Sequence, residues 1–245
     1  MPRWFVPLQG SPIELSRLAT HVLPAPPLWV THEGDEYRLY GSDFDRLTSA
    51  EDVYALARTL LPRINGLGRV RFPDWEPITF DRVVQIGDDG GHHHSVWATV
   101  EVGRIRVAAQ ALVTRADGTV DPPPPPPSGD GALVAAVRSE SAQDRALRFF
   151  SHEPSWSNLY KVYEVIRDDV GGEKGITGKG WATGKRCERF TRSANSYLAS
   201  GDQARHASMR DLPPPKPMQL PEATDFIRSL LNRWLMQGDA IDETQ

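Results

Sequence analysis

The chain has 245 residues, with 28 Lys plus Arg against 32 Asp plus Glu, and 39% of the residues are hydrophobic. This composition is typical of a soluble globular protein and argues against a collagen-like, disordered or membrane-spanning chain. The net charge of -4 excludes a global attraction to nucleic acid or to anionic lipid, so such binding would need a local basic patch.

The first half of the chain has the patterns of strands with one covering helix. A turn-like Glu-Gly-Asp at 33–35 separates two short apolar runs, and alternating hydrophobicity predicts further strands over 78–86, 96–102 and 105–113. Thr48 and Glu51 have the spacing of a capping box, and apolar residues then recur at helical intervals up to Gly66 and Gly68. We therefore predict an α+β domain over residues 1–121, a mainly antiparallel sheet with a covering helix, as a sensor or partner-binding module.

A proline-rich segment marks the predicted domain boundary. Asp121 is followed by six consecutive prolines and then by Ser-Gly-Asp-Gly. Prolines cannot donate hydrogen bonds to a sheet or helix and favour a stiff polyproline II rod. Residues 122–130 are therefore predicted to be a linker.

Beyond the linker the hydrophobic period changes to that of helices. The pattern predicts helices over 132–150, 156–170, 181–196 and 222–236, with Pro221 in the first turn of the last one. The glycine-rich run 171–184 is predicted to be a flexible loop. Four helices with mostly short connections indicate an all-α bundle over 131–237, followed by a tail at 238–245.

A run of three histidines lies between two of the predicted strands. If the chain is extended there, His92 and His94 point to one face and could share a metal ion with a neighbouring aspartate. Alternatively, the run is a solvated hairpin tip, which the adjacent Asp-Asp-Gly-Gly favours.

Basic residues concentrate in the third predicted helix and in the loop before it. Lys185, Arg189 and Arg192 share one helical face, and the stretch from Lys174 to Arg192 has six basic residues against one acid. Such a stripe is suited to RNA or other phosphates, although a solvated helix face has the same pattern.

The segment that follows offers acid-base chemistry beside this stripe. Arg192, Asn195, Arg205 and His206 combine cations, an amide and a titratable imidazole, which is the inventory of a phosphate-processing site. The alternative is structural: Asn195 caps a helix, and Arg205 and His206 pair with neighbouring acids.

Residues 130–237 resemble the HEPN superfamily of helical bundles in prokaryotic defence and toxin systems. The resemblance rests on the bundle plan, on the Leu-Tyr-Lys-Val-Tyr-Glu sequence at 159–164, and on the segment from Arg192 to His206. Catalytic members have an arginine, four to six residues, and then a histidine. Here thirteen residues separate Arg192 from His206, whereas Arg145 and His152 are separated by six and form a weaker alternative pair. The whole chain also looks like an uncharacterised bacterial family.

The resemblance implies a homodimer formed through the bundle and a regulatory or defence role. Two functions remain open: binding of RNA or a protein partner without catalysis, or metal-independent RNA cleavage. In the second, His206 would deprotonate a ribose 2′-hydroxyl while Arg192 and Arg205 stabilise the transition state.

Location and cofactors are constrained by what the sequence lacks. Cys187 is the single cysteine, so the chain cannot form an intrachain disulfide, which is consistent with a reducing cytoplasm. No apolar stretch approaches the ~18 residues of a membrane span. The glycine-rich run also lacks the spacing of a nucleotide-binding phosphate loop. We expect a cytoplasmic protein without a cofactor and without membrane contact.

Overall fold

A computed structural model describes residues 3–97, 130–205 and 211–237. The chain divides into two compact units. The first comprises Met1–Leu61 and Glu76–Ala136, and the second comprises Pro62–Trp75 and Val137–Gln245.

Within the described residues, the first unit contains a five-stranded antiparallel sheet. Its strands are ordered β2-β3-β1-β4-β5, and in chain order they are β1 Trp4–Leu8, β2 Leu28–Glu33, β3 Glu36–Gly41, β4 Arg82–Ile86 and β5 His92–Val96. The predicted hairpin is confirmed: Glu33 pairs with Glu36 across a two-residue turn in which Gly34 has a φ of 61°. A glycine suits this position because it adopts positive φ without steric cost.

The strand β1 has no counterpart in the sequence prediction. It pairs with both β3 and β4, and all five of its residues are buried. A strand that is covered on both faces has no polar positions to alternate with apolar ones, so the period-two signal is absent.

The bounds of two strands differ from the sequence prediction. Residues 78–86 form a strand only from Arg82, and Thr79 contributes an isolated bridge to Gln9. β5 begins at His92, so the three histidines belong to a strand and the preceding turn holds only the acidic and glycine residues. The predicted strand 105–113, and residues 98–102 of the predicted strand 96–102, lie outside the described residues.

Helices complete the first unit. They are α1 Pro12–Arg17, the N-terminal part of α2 Ala50–Arg71, and α3 Asp130–Ala136. Val53, Ala57 and Leu60 of α2 are buried in the core, which agrees with the predicted covering helix.

The second unit is a helical bundle around an aromatic core. Its helices are α4 Ala142–Ser151, α5 Trp156–Asp169, α6 Glu173–Gly178, α7 Gly184–Asn195, α8 Tyr197–Ser200 and α9 Leu220–Gln237. The ring of Phe190 lies within 5.3 to 6.2 Å, between centroids, of the rings of Tyr163, Phe226, Tyr160 and Trp156. The α+β fold class with an antiparallel sheet followed by a bundle is thereby confirmed.

The helices differ from the predicted ones in two places. The expected helix 132–150 is interrupted, because Glu140 has a φ of 61° and Ser141 caps a new helix by accepting a hydrogen bond from the Asp144 amide at 3.1 Å. The glycine-rich run is not simply a loop, since it contains α6.

Two glycines that were expected to end α2 lie inside it. A Cβ on Gly66 would lie 2.2 Å from the Leu147 carbonyl oxygen, and one on Gly68 would lie 2.3 Å from the Trp75 ring. Their role is therefore to allow close packing within the second unit, against α4 and the Trp75 ring, rather than helix termination.

The two units do not follow the domain boundary expected from the sequence. α3 belongs to the first unit, and residues 62–75 belong to the second. The proline-rich linker up to residue 129 and the tail at 238–245 lie outside the described residues. Among the helices that are described, none combines the length and apolar character needed to cross a membrane.

Candidate functional site

The basic helix α7 is amphipathic, as its sequence predicts. Thr183 caps it by accepting a hydrogen bond from the Arg186 amide at 3.3 Å. Cys187, Phe190 and Ala194 are fully buried in the bundle. Tyr197, whose spacing of ten from Cys187 predicts the same helical face, instead begins α8 and is 36% exposed.

Arg189 is bonded to other parts of the bundle and is only partly exposed. Its guanidinium forms a two-pronged ion pair with Glu222 at 2.6 and 2.8 Å, and its Nε donates to the Lys216 carbonyl at 2.5 Å. These bonds connect α7 to the start of α9. Replacing Arg189 with glutamate would place two carboxylates together and destabilise the bundle, so this variant is unsuited to testing a phosphate contact.

Arg192 is also engaged within the bundle. It pairs with Glu188 at 3.3 Å and donates to the carbonyls of Leu212 and Pro213 at 3.4 and 3.0 Å. Together with Arg189 it holds residues 212–217, the proline-rich connector before α9, against α7.

The residues that were predicted to form an acid-base site make separate contacts. Arg205 pairs with Glu164 at 3.2 Å and lies over the Tyr160 ring, with its guanidinium carbon 4.1 Å from the centroid. The side-chain oxygen of Asn195 is buried and has no hydrogen-bond partner among the described residues. Asn195 is the last residue of α7 rather than a cap. His206 lies outside the described residues, so its role as a general base stays a prediction.

The remaining cations around α6 and α7 are exposed. We call them the α6–α7 basic surface: Lys174, Lys179, Lys185, Arg186 and Arg233. Within the described residues none of them forms an ion pair. Arg233 donates to the Gly180 carbonyl at 3.2 Å, and the Lys179 ammonium lies 5.5 Å from the centre of the Trp181 ring.

The carboxylate of Glu173 lies close to the N-terminus of α7. A carboxylate oxygen of Glu173 lies 3.5 Å from the position of a Cβ built on Gly184, the first residue of the helix. This carboxylate is well situated to balance the positive end of the helix dipole.

The weaker predicted pair, Arg145 and His152, lies on α4 and at its C-terminal cap. Both residues are exposed. Among the described residues, Arg145 forms no ion pair, whereas His152 lines a small recess together with Arg69 and Phe149.

His92 and His94 share one face of the sheet, as their spacing predicts. Their ring centroids are 6.3 Å apart, and the ring of His92 packs edge-on against Phe5 at 5.3 Å. Asp89 instead accepts a hydrogen bond from the Gly91 amide at 2.8 Å. In the described ranges no three His, Cys, Asp or Glu side chains are grouped to hold a metal ion.

Cys187 has no solvent exposure. Its pKa is raised, chiefly by burial and further by the charge of Glu173, while the neighbouring Tyr163 hydroxyl acts in the opposite direction. A thiol with a raised pKa contributes little thiolate at neutral pH and is therefore a poor nucleophile.

We therefore expect Cys187 to be protected from an aromatic disulfide reagent in the folded protein. The release of thiolate from the reagent should be slow in buffer and should reach one equivalent per chain in guanidinium chloride. A rate in buffer similar to that of the unfolded chain would contradict the buried position of this thiol.

Comparison of the chain with protein-family models, with curated proteins and with solved structures finds no match. The resemblance of residues 130–237 to the HEPN superfamily is thus a hypothesis drawn from the residues alone.

Sequence reasoning missed the acids that pair with Arg189 and Arg205. Glu222 is 33 positions from Arg189, and Glu164 is 41 positions from Arg205. No local period connects residues so far apart. The only available signal was Glu222 itself, an acid in the first turn of the last predicted helix.

Proposed function

We propose that this chain is a non-catalytic, HEPN-like regulatory or defence module that binds single-stranded RNA through the α6–α7 basic surface. The observation that carries the proposal is the difference between two sets of cations. Arg189, Arg192 and Arg205 are paired with carboxylates, whereas the five members of the basic surface are exposed without such partners.

An unpaired surface cation is the better ligand for phosphate. Binding by Arg189 would require its two-pronged bond to Glu222 to break, which would offset the gain from a new contact. Lys179 and Lys185 have no such bond to lose, and each phosphate that they neutralise releases a counterion.

Trp181 adds a second element of recognition. It is partly exposed beside Lys179, and an aromatic ring next to cations offers a stacking surface for an unpaired base. Stacking of this kind is available in single strands but not within an A-form duplex, which favours single-stranded RNA over double-stranded RNA.

The alternative of metal-independent cleavage has weaker support. Arg192 is bonded to the connector before α9, and Arg205 is bonded to α5. A cleavage site needs both guanidiniums and a base directed at one phosphate. With those arginines engaged elsewhere, binding without catalysis is the better-supported function.

The test is a salt titration of binding to a fluorescent, single-stranded RNA. The parent protein should lose affinity steeply as salt rises. Replacing Lys179 and Lys185 together with glutamine should reduce affinity at low salt and lower the salt slope by about 1.4, since each neutralised phosphate on a single strand contributes ~0.7.

A matched control is Lys161→Gln, which removes an exposed lysine from α5 that packs over the Phe149 ring. Its affinity and salt slope should equal those of the parent. Absence of RNA binding, or equal losses in the double variant and the control, would contradict the proposal. RNA shortened during the measurement would instead favour the nuclease.

The HEPN resemblance also leads us to expect a homodimer formed through the bundle. Sedimentation velocity over a range of concentrations measures this directly, and a monomer at every concentration would contradict it.

A further inference from the structure

We propose that His92 and His94 bind one divalent transition-metal ion on the sheet of the first unit. The site lies on β5 and uses none of the cations of the α6–α7 basic surface, so the proposal does not depend on RNA binding. Two imidazoles are fewer ligands than a closed structural metal site has, and the ion therefore keeps positions for water or for a further donor.

The strand geometry brings the two imidazoles together. His92 and His94 are alternate residues of β5 and pair with Ile86 and Val84 of β4, so both side chains leave the same face of the sheet. Their ring centroids are 6.3 Å apart. Two imidazoles on one ion, each with a metal–nitrogen bond of about 2.1 Å, have ring centroids about 5 to 6 Å apart. Small side-chain rotations are enough to close the difference.

Both imidazoles are available to a metal ion. His92 and His94 are exposed, and within the described part of the chain neither forms a hydrogen bond or an ion pair. Binding a metal ion therefore breaks no such bond. The ring of His92 also packs edge-on against the buried Phe5 ring, with centroids 5.3 Å apart. This contact restricts the rotation of the His92 ring and lowers the entropy cost of holding it in place.

His93, between the two, is separated from them by the pleat of the strand. Its side chain leaves the opposite face, where its Nε2 lies 3.4 Å from the position of a Cβ built on Gly87. Asp89 Oδ1 lies 2.7 Å from the same position, but it already accepts a hydrogen bond from the Gly91 amide. In a flexible segment the three histidines would be equivalent as ligands, whereas on this strand only His92 and His94 form a pair.

The ligand type determines which ions the site selects. Imidazole nitrogen suits zinc, copper and nickel, whereas magnesium and calcium prefer oxygen ligands. A site with two protein ligands is open, in contrast to the four ligands of a structural zinc site. The bound ion is therefore exchangeable, and the first unit gains a response to transition metals that fits a sensor role.

The experiment measures binding of Ni²⁺ to the full chain by calorimetry, without RNA, and uses Mg²⁺ as the comparison ion. We expect one Ni²⁺ per chain at this site and no measurable binding of Mg²⁺. Removing either histidine should weaken Ni²⁺ binding at least about tenfold, because a single imidazole has no second ligand held nearby at high effective concentration.

The variants are His92→Phe, His94→Ala and the matched control His93→Ala. His92→Phe removes the ring nitrogens and keeps an aromatic ring beside Phe5, so its effect reports the metal ligand rather than the packing. His94→Ala tests the second ligand at an exposed position. His93→Ala, on the same strand but on the opposite face, should bind Ni²⁺ as tightly as the parent protein.

Three outcomes would overturn the proposal. The first is no binding of Ni²⁺ at millimolar concentration. The second is an affinity that neither His92→Phe nor His94→Ala changes, since the ion would then be bound elsewhere. The third is a loss in His93→Ala equal to that in the other two, which would show that the histidines act as a flexible tract or that His93 binds with Asp89. Failure of RNA binding with these Ni²⁺ affinities intact would contradict only the proposed function.

Discussion

Replacing Asp144 with alanine should lower the free energy of unfolding by about 3 to 5 kcal/mol, the usual cost of leaving a buried charge without its partner. The side chains of Asp144 and Arg63 are only 3% and 4% exposed, and they pair at 2.9 Å. Asp144 also accepts a hydrogen bond from the Glu140 amide at 2.9 Å. Denaturant titration at pH 7 measures the loss.

This ion pair also predicts how stability changes with pH. Burial raises the pKa of Asp144, but the hydrogen bonds from Arg63 and Glu140 outweigh burial, so the pKa in the folded protein is below its ordinary value. The stabilisation is therefore present above the unfolded pKa of about 4 and is lost as pH falls through the folded value. The difference between the parent and Asp144→Ala should accordingly shrink in acid.

Two further variants make the prediction specific. Asp168→Ala removes a carboxylate that is 69% exposed beside Arg167 and should cost at most about 1 kcal/mol. Arg63→Met combined with Asp144→Leu should recover much of the stability that Asp144→Ala loses, because no unpaired charge stays buried. Similar losses for Asp144→Ala and Asp168→Ala would contradict the importance of burial.

Replacing Gly66 with alanine should destabilise the second unit by about 3 kcal/mol, the upper part of the usual range for an overpacked core. The added Cβ would lie 2.2 Å from the Leu147 carbonyl oxygen. This neighbour is backbone, so no side-chain rotation can relieve the overlap, and α2 and α4 would have to separate. The measurement is the change in unfolding free energy by denaturant titration.

Gly178→Ala is the matched control, since it is the same substitution in a helix with open space around it. No atom lies within 4 Å of a Cβ at Gly178, the last residue of α6. Alanine there should be neutral or should stabilise by up to about 1 kcal/mol, because it reduces the freedom of the unfolded chain. Equal effects at Gly66 and Gly178 would show that α2 and α4 do not depend on this close approach.

The basic helix α7 shows what a local sequence pattern predicts and what it misses. The periodicity of α7 correctly separated its buried face, with Cys187 and Phe190, from its basic face. It did not distinguish Arg189 from Lys185, although the first is bound by Glu222 and the second is exposed without an ion pair in the described part of the chain. Both are cations on one face of a helix, and only the packing of α9 makes them different.

The amino-acid sequence by itself determined the fold class, the β2–β3 hairpin, the covering helix and three helices of the bundle, α5, α7 and α9. These features repeat every two or every 3.6 residues, so neighbouring residues are enough to reveal them. The tertiary structure alone decided the central position of β1, the close packing at Gly66, and the engagement of Arg189 and Arg192. Each of these depends on which distant segments meet, since burial and charge pairing are properties of atoms close in space rather than in sequence.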